Sequence, residues 1–255
     1  MFGLVNFRGS CWVNACLQGI FRIPELQTRY EEDKHDSENP VDVGLSTILK
    51  TKGKEGLKNF FTSVRTNAMP AGQSVGDSHE LLVYLCDKLP FLDDLCRFKI
   101  AELLKCNSCD YTDTKEDSVI EFSLQPSRKA VPISECISEA VSTRTNVDWK
   151  CEKCSEKGCT QQLLIGTFPK VMIFHVTTVN RTSLQYSSIL VMNKQKYCLI
   201  SVISYNGSHW WAYSREMPPG KPWYTIDDTR VQEHRPNEFP MSETMRVLIY
   251  YRLDE

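Results

Sequence analysis

No stretch of this 255-residue chain is apolar for long enough to cross a membrane, and the N-terminus lacks the basic and apolar regions of a secretory signal. A basic excess is also missing. Thirty lysines and arginines stand against 32 aspartates and glutamates, a net charge of −2, which points away from nucleic acid as a partner. Cysteine is plentiful, but the setting for disulfides is not there. With 11 cysteines, an odd count and no signal, the thiols read as reduced side chains, metal ligands or a nucleophile. These absences suit the cytoplasm and/or nucleus and a protein that works without membrane or nucleic acid, and a monomer is expected. The two sequons, Asn180-Arg181-Thr182 and Asn206-Gly207-Ser208, would stay unmodified there. What remains is ordinary: 41% hydrophobic and 24% charged residues, with length for one large domain or two small ones.

The most informative stretch is at the start, Gly3-Leu4-Val5-Asn6-Phe7-Arg8-Gly9-Ser10-Cys11-Trp12-Val13-Asn14-Ala15-Cys16-Leu17-Gln18. Gly9 and Ser10 are turn and N-cap residue types, and Val13, Cys16, Leu17 and Ile20 recur at helical spacing. A loop over residues 6–10 therefore feeds a helix that begins near Cys11. A cysteine in a first turn meets the positive end of the helix dipole, which lowers its pKa and favours the thiolate. The usual fate of a lone cysteine is a small buried hydrophobe, as expected for Cys16, so Cys11 needs a base elsewhere in the chain.

Helical texture continues to about Pro90, interrupted by a charged loop over 31–40 and a breaker over 66–73 that contains Pro70 and Gly72. Two short helices are expected around Leu45–Leu49 and Leu57–Phe61, and another over Asp77–Cys86. From Arg97 strands take over: 98–105, a second at Val119–Leu124, a helix at Ile133–Val141, two apolar strands within 163–176 and one at Tyr197–Ser204. Within this part lie Cys106-Asn107-Ser108-Cys109 and Cys151-Glu152-Lys153-Cys154. Two C-x-x-C knuckles in a reduced chain are the sequence form of a four-thiolate structural zinc site. The 41 residues between them (110–150) exceed a small zinc finger and suit a site pinning two hairpin tips together. Cys159 is a possible substitute ligand. A redox motif would be a single pair near a βαβ unit, which does not fit.

A thiol nucleophile needs an imidazole within hydrogen-bond reach, and the imidazole needs an acceptor to fix its tautomer. His209 opens an aromatic strand after a Gly-Ser turn, and Asp227 follows one hairpin later, where an antiparallel partner could bring it alongside. His175 alternates with apolar neighbours and reads as a core or edge histidine. On spacing alone, His209 is one choice among five histidines.

The N-terminal string resembles the Cys box of the ubiquitin-specific proteases, roughly G-L-x-N-x-G-N-T-C-Y-x-N-S-x-L-Q. Gly3, Leu4, Asn6, Cys11, Asn14, Leu17 and Gln18 match, while Arg8, Gly9, Ser10 and Trp12 depart. Asp77, Glu80 and Leu82 match the second box, Q-Q-D-A-x-E-F-L, with Val75 and Gly76 replacing its glutamines. Ser208-His209-Trp210-Trp211-Ala212-Tyr213 resembles the His box, and Trp223-Tyr224-Thr225-Ile226-Asp227-Asp228 the Asp box that follows it. The resemblance runs in the family's order from Gly3 to Val231.

The resemblance implies an α+β, papain-like cysteine protease fold with a helical thumb (1–96), zinc-bearing β fingers (97–170) and an antiparallel-sheet palm (171–255). It implies Cys11 as nucleophile, His209 as general base, Asp227 as its orienter, Asn6 as oxyanion donor and Asp228 as a supporting acid. Asp77, otherwise a helix-start charge, becomes a residue holding the modifier's tail, and Tyr213 either a tail contact or strand packing. Zinc at Cys106, Cys109, Cys151 and Cys154 would be structural. The expected partners are ubiquitin or a ubiquitin-like modifier and its protein conjugates. The short segment 177–208 and the missing glutamines leave SUMO or another modifier open as the substrate, and a non-catalytic modifier-binding module is a third reading.

Overall fold

The computed structural model describes residues 1–68, 75–177, 183–217, 219–235 and 238–253. The sequon at 180–182 and most of the breaker over 66–73 lie outside them. The first part of the chain is helical: α1 (Cys11–Ile20), α2 (Pro24–Glu31), α3 (Pro40–Lys50), α4 (Leu57–Ala68), α5 (Ser78–Lys88) and α6 (Pro90–Cys96). Proline stands in the first turn of α2, α3 and α6, where its missing N–H costs nothing. Every residue of α1 is buried, so this helix is a spine around which the others are laid.

Then come β1 (Phe98–Cys106), β2 (Thr112–Val119), β3 (Phe122–Leu124), β4 (Val131–Pro132), α7 (Ile133–Val141), β5 (Arg144–Lys150), β6 (Lys157–Ile165), β7 (Val171–Val176), β8 (Leu184–Gln185), β9 (Ile189–Met192), β10 (Gln195–Tyr205), β11 (Trp210–Arg215), β12 (Trp223–Asp227), β13 (Arg230–Glu233) and β14 (Met245–Arg252). They make a four-stranded sheet, β2-β1-β6-β5, and a larger one ordered β13-β12-β11-β10-β14-β7-β3, with β9 paired to β10. Pairings are antiparallel except β3 with β7 and the small β4–β8 pair.

The large sheet is covered on both faces, which is why its strands read as continuous apolar runs. In β7, Val171 and Ile173 join the core shared with the helices, while Met172, Phe174 and Val176 face a second core with α7 and β3. Alternation along a strand sends neighbours to opposite faces, so one strand serves both. β9 and β10 add a hairpin to this sheet, turning through Asn193 and Lys194, both at positive φ, while β8 pairs with β4 in a separate two-stranded sheet.

Several elements differ from expectation. The strand expected over Val119–Leu124 is two: β2 ends at Val119 in one sheet and β3 starts at Phe122 in the other. β2 itself (TDTKEDSV) and β5 (RTNVDWK) are largely exposed on both faces, so neither carries the alternation by which strands are read. The span 97–170 is also not one unit. The apolar residues Phe122, Leu124, Ile133 and Ile137 belong to the second core of the large sheet, so β3, β4 and α7 leave the four-stranded sheet to β1, β2, β5 and β6.

Candidate active site

The loop before α1 is tied to itself. Asn6 Oδ1 accepts from the backbone N–H groups of Gly9 and Ser10, both at 3.0 Å, and Ser10 Oγ accepts from Phe7 N at 2.8 Å. Arg8 (φ 49°) and Gly9 (φ 98°) turn the chain through the left-handed region. Cys11 is the first helical residue and is 3% exposed. The expected depressed pKa is not what this setting produces. Burial pushes the Cys11 thiol up, the nearby charge of Asp228 adds to that, and hydrogen bonding from the Trp210 backbone offsets only part. Desolvation outweighs the helix start, and the net shift of the Cys11 thiol is upward.

Trp210 opens β11, and His209 sits just before it in a turn held by one side chain. Asn206 Oδ1 accepts from Ser208 N, Ser208 Oγ and His209 N at 3.0, 3.0 and 2.9 Å. β11 and β12 pair antiparallel with Ala212 opposite Ile226, and this register brings Asp227 diagonally to His209. Asp227 Oδ1 lies 2.6 Å from His209 Nε2. A carboxylate can only accept, so Nε2 carries the proton and Nδ1 is left as the basic nitrogen.

Asp228, at φ 51° in the turn after β12, joins the two ends of the chain. Its Oδ2 accepts from Asn6 Nδ2 and its Oδ1 from Asn14 Nδ2, both at 2.7 Å, and its carbonyl accepts from Leu4 N at 2.8 Å. Its Oδ2 is 4.0 Å from His209 Nε2. Gly3 is pressed so closely on the Thr229 backbone that a Cβ would lie 2.5 Å from its carbonyl oxygen. Asn14 and Gln18 received no role from sequence, although both match the Cys-box pattern. The available signal was their spacing: with Cys11 they fall on one face of α1.

Asp77 is the N-cap of α5, its Oδ1 accepting from His79 N at 2.7 Å, and its side chain is exposed. Ser78 Oγ donates to the Trp12 carbonyl at 2.8 Å, and the Trp12 ring fills the space that a Cβ on Gly76 would need. Tyr213 is not brought to Asp77. It packs with the second core, between the rings of Trp211 and His234, whereas α5 belongs to the core on the other face of the sheet. The contacts observed for it are those of strand packing. His175 is half-buried and stacked on His79, ring centroids 3.7 Å apart at 12°, with Glu121 hydrogen-bonded to His79 and 3.7 Å from His175 Nδ1. Nearly parallel rings at that separation do not aim both lone pairs at one ion.

The knuckles do converge. Cys106 and Cys109 sit at the tip of β1–β2, Cys151 and Cys154 at the tip of β5–β6, and their four sulfurs lie within 4.8 Å of one another. The Cys106–Cys154 and Cys109–Cys151 sulfurs are each 3.7 Å apart. A tetrahedron with metal–sulfur bonds of about 2.3 Å has edges of about 3.8 Å, so the set fits zinc. Cys159 lies across from Cys106 in the β1–β6 register, buried and outside this group.

A family model described as ubiquitin carboxyl-terminal hydrolase matches residues 2–250. Ubiquitin carboxyl-terminal hydrolase 47 of Drosophila melanogaster is 25% identical over 201 residues, 68% of this chain but 13% of that protein. Ubiquitin carboxyl-terminal hydrolase 2 of Bos taurus is 23% identical over 193 residues, 64% of this chain and 31% of that protein. The chain thus corresponds to less than a third of either relative. Two solved structures superpose along its whole length at 17% identity. The SAGA DUB module Ubp8/Sgf11/Sus1/Sgf73 bound to monoubiquitin gives a TM-score of 0.81 over 69% of that chain. The same module bound to ubiquitin aldehyde gives 0.80 over 70%. At that identity the likeness speaks for the fold, α+β with an antiparallel sheet, as expected.

Proposed function

Because this chain belongs to the ubiquitin carboxyl-terminal hydrolase family, we propose that it is a thiol-dependent deubiquitinase that cleaves the isopeptide bond between ubiquitin and a lysine. The observation that carries this reading is the short His209–Asp227 hydrogen bond, 2.6 Å, in the residue next to Trp210, whose backbone meets the Cys11 thiol.

His209 Nδ1 takes the Cys11 proton, and the sulfur attacks the carbonyl carbon of the modifier's C-terminal glycine. Asn6 Nδ2, whose second N–H is free of Asp228, and a backbone N–H at Cys11 stabilise the oxyanion. As the tetrahedral intermediate collapses, the carbon–nitrogen bond breaks and His209 returns the proton to the departing lysine amine. Water, deprotonated by the same imidazole, then cleaves the thioester and restores the thiol. Asp227 holds the His209 tautomer throughout, and Asp228 braces Asn6. Zinc held by Cys106, Cys109, Cys151 and Cys154 would tie two hairpins together and takes no part in the chemistry. In this scheme the helices act as thumb, the four-stranded sheet as fingers and the large sheet as palm, with exposed Asp77 on the tail path. All 11 cysteines are unpaired, which suits the cytoplasm or nucleus.

The test is a panel of probes, ubiquitin and SUMO each carrying a C-terminal electrophile, against the wild type and Cys11→Ala. Labelling by the ubiquitin probe that disappears in Cys11→Ala is expected. Labelling only by SUMO would change the substrate, and tight binding of ubiquitin without labelling or hydrolysis would leave a binding module.

A further inference from the structure

The helix that carries Cys11 also carries two amides for which the acyl transfer has no use. Asn14 lies one turn along α1 and Gln18 one turn further, each 1% exposed. Asn14 Nδ2 donates to Asp228 Oδ1 at 2.7 Å and faces the Val5 and Leu4 carbonyls at 3.2 and 3.4 Å. Gln18 Nε2 donates to the Phe2 carbonyl at 2.8 Å. The orientation of Asn14 is dictated by its neighbours: turned over, its oxygen would face two carbonyls and a carboxylate.

This arrangement has a cost, because Asn14 Oδ1 and Gln18 Oε1 are both buried without a hydrogen-bond partner. Buried acceptors left unpaired are destabilising, and apolar side chains of similar shape avoid the penalty. Two such acceptors on one helix indicate that the donors opposite them serve something other than stability. What they hold is the segment Phe2–Val5, which leads directly into Asn6. Its other edge is held by the bond from Leu4 N to the Asp228 carbonyl.

We infer that Asn14, backed by Gln18, is a positioning residue that fixes Asn6 and Asp228 relative to the Cys11 sulfur. One helix then carries both the nucleophile and the clamp on the oxyanion donor, so the two keep their separation when the surrounding loops adjust to substrate. Asn14 touches no reacting atom. Its role rests on the acyl transfer proposed above.

Steady-state hydrolysis of ubiquitin bearing a fluorogenic leaving group tests this with the wild type, Asn14→Leu, Gln18→Met, Asn6→Ala and the Asn6→Ala/Asn14→Leu pair. Asn14→Leu is expected to lower kcat roughly 10- to 100-fold with KM within about threefold, and Gln18→Met to lower kcat less. Added to Asn6→Ala, it should cost less than about a further threefold, because the donor it positions is already gone. Ubiquitin affinity measured in the Cys11→Ala background reports folding; if Asn14→Leu does not bind, Asn14→Ser is read in its place. An unchanged kcat in the folded variant, or effects that multiply in the pair, would overturn the positioning role while the acyl transfer stands. A wild type inert to every modifier probe would instead overturn the acyl transfer, and the positioning role with it.

Discussion

At Cys11 a helix start favours the thiolate while burial and the Asp228 carboxylate favour the thiol, and the net shift is upward. In the proposed mechanism His209 would then have to take the proton at the moment of attack, with the oxyanion donor ready before it. Asn6 is held by three hydrogen bonds, its oxygen to Gly9 N and Ser10 N and its nitrogen to Asp228. Replacing it with alanine removes one donor from the transition state, a loss of typically about 2.7–4 kcal/mol. Asn6→Ala should lower kcat by roughly 10- to 1000-fold with little change in KM, the lower end applying if the backbone N–H takes up part of the charge. A matching rise in KM would mean that the side chain grips the ground state instead. That Asp227 would lie alongside His209 was legible from their one-hairpin spacing, whereas the choice of His209 among five histidines and of Cys11 as its partner came from the resemblance. Asn14 and Gln18 were not legible. A buried amide on a helix looks like any polar residue until the turn it holds, more than two hundred residues away at Asp228, is brought against it.

Among the elements, the two hairpin tips and the helix α5 each carry a test. Serine at both Cys109 and Cys154 should abolish the zinc expected to copurify at about one atom per chain, whereas Cys159→Ser should retain it, because its sulfur lies outside the four that converge. Full zinc in the double variant, measured by elemental analysis, would refute the site. The His79–Glu121 pair joins α5 to the turn between β2 and β3. Burial, the largest influence on His79, pulls its pKa down, but Glu121, with Asp77 and Glu80, more than reverses this and the net shift is upward. His175 is shifted down by burial and by the charge of His79, with Arg246 in the same sense and Glu121 and Asp77 opposing, so the stacked pair favours one proton. A raised folded pKa contributes stability that is full below the unfolded value of about 6.5 and is lost as pH rises through the folded one. Between about pH 6 and 8 the Tm of the wild type should fall relative to that of His79→Gln; parallel curves would show that the proton is not held. α7 was legible to the residue because its apolar positions keep helical spacing. β2 and β5 were hidden because strands solvated on both faces have no inside to betray them.

For the molecule as a whole, β8 is spent on the small pair with β4, and β9 and β10, Ile189–Met192 and Gln195–Tyr205, on the large sheet, which leaves little chain in the segment 177–208 to overhang a modifier's tail. If the chain acts on ubiquitin as proposed, its affinity would then come from the modifier's globular body. A short tail peptide with a fluorogenic leaving group should be a very poor substrate while intact ubiquitin reacts well, since truncated substrates lose the remote binding energy that drives the reacting centre. A peptide with kcat/KM within about tenfold of ubiquitin's would remove the need for such a grip. The order of helices, paired knuckles and apolar strands was legible because each has its own texture; the departure of β3 and α7 to the far face was not, since it depends on which core has room for Phe122 and Ile137. The seam at Asp228 has a temporal side as well. Asn6 and its brace are 222 positions apart in sequence, so their contact can form only after all of the intervening chain has been made. Loops of that length close late and at an entropic cost that local helices do not bear. The pairing of Asn6 with Asp228 is thus among the later contacts of this fold to form.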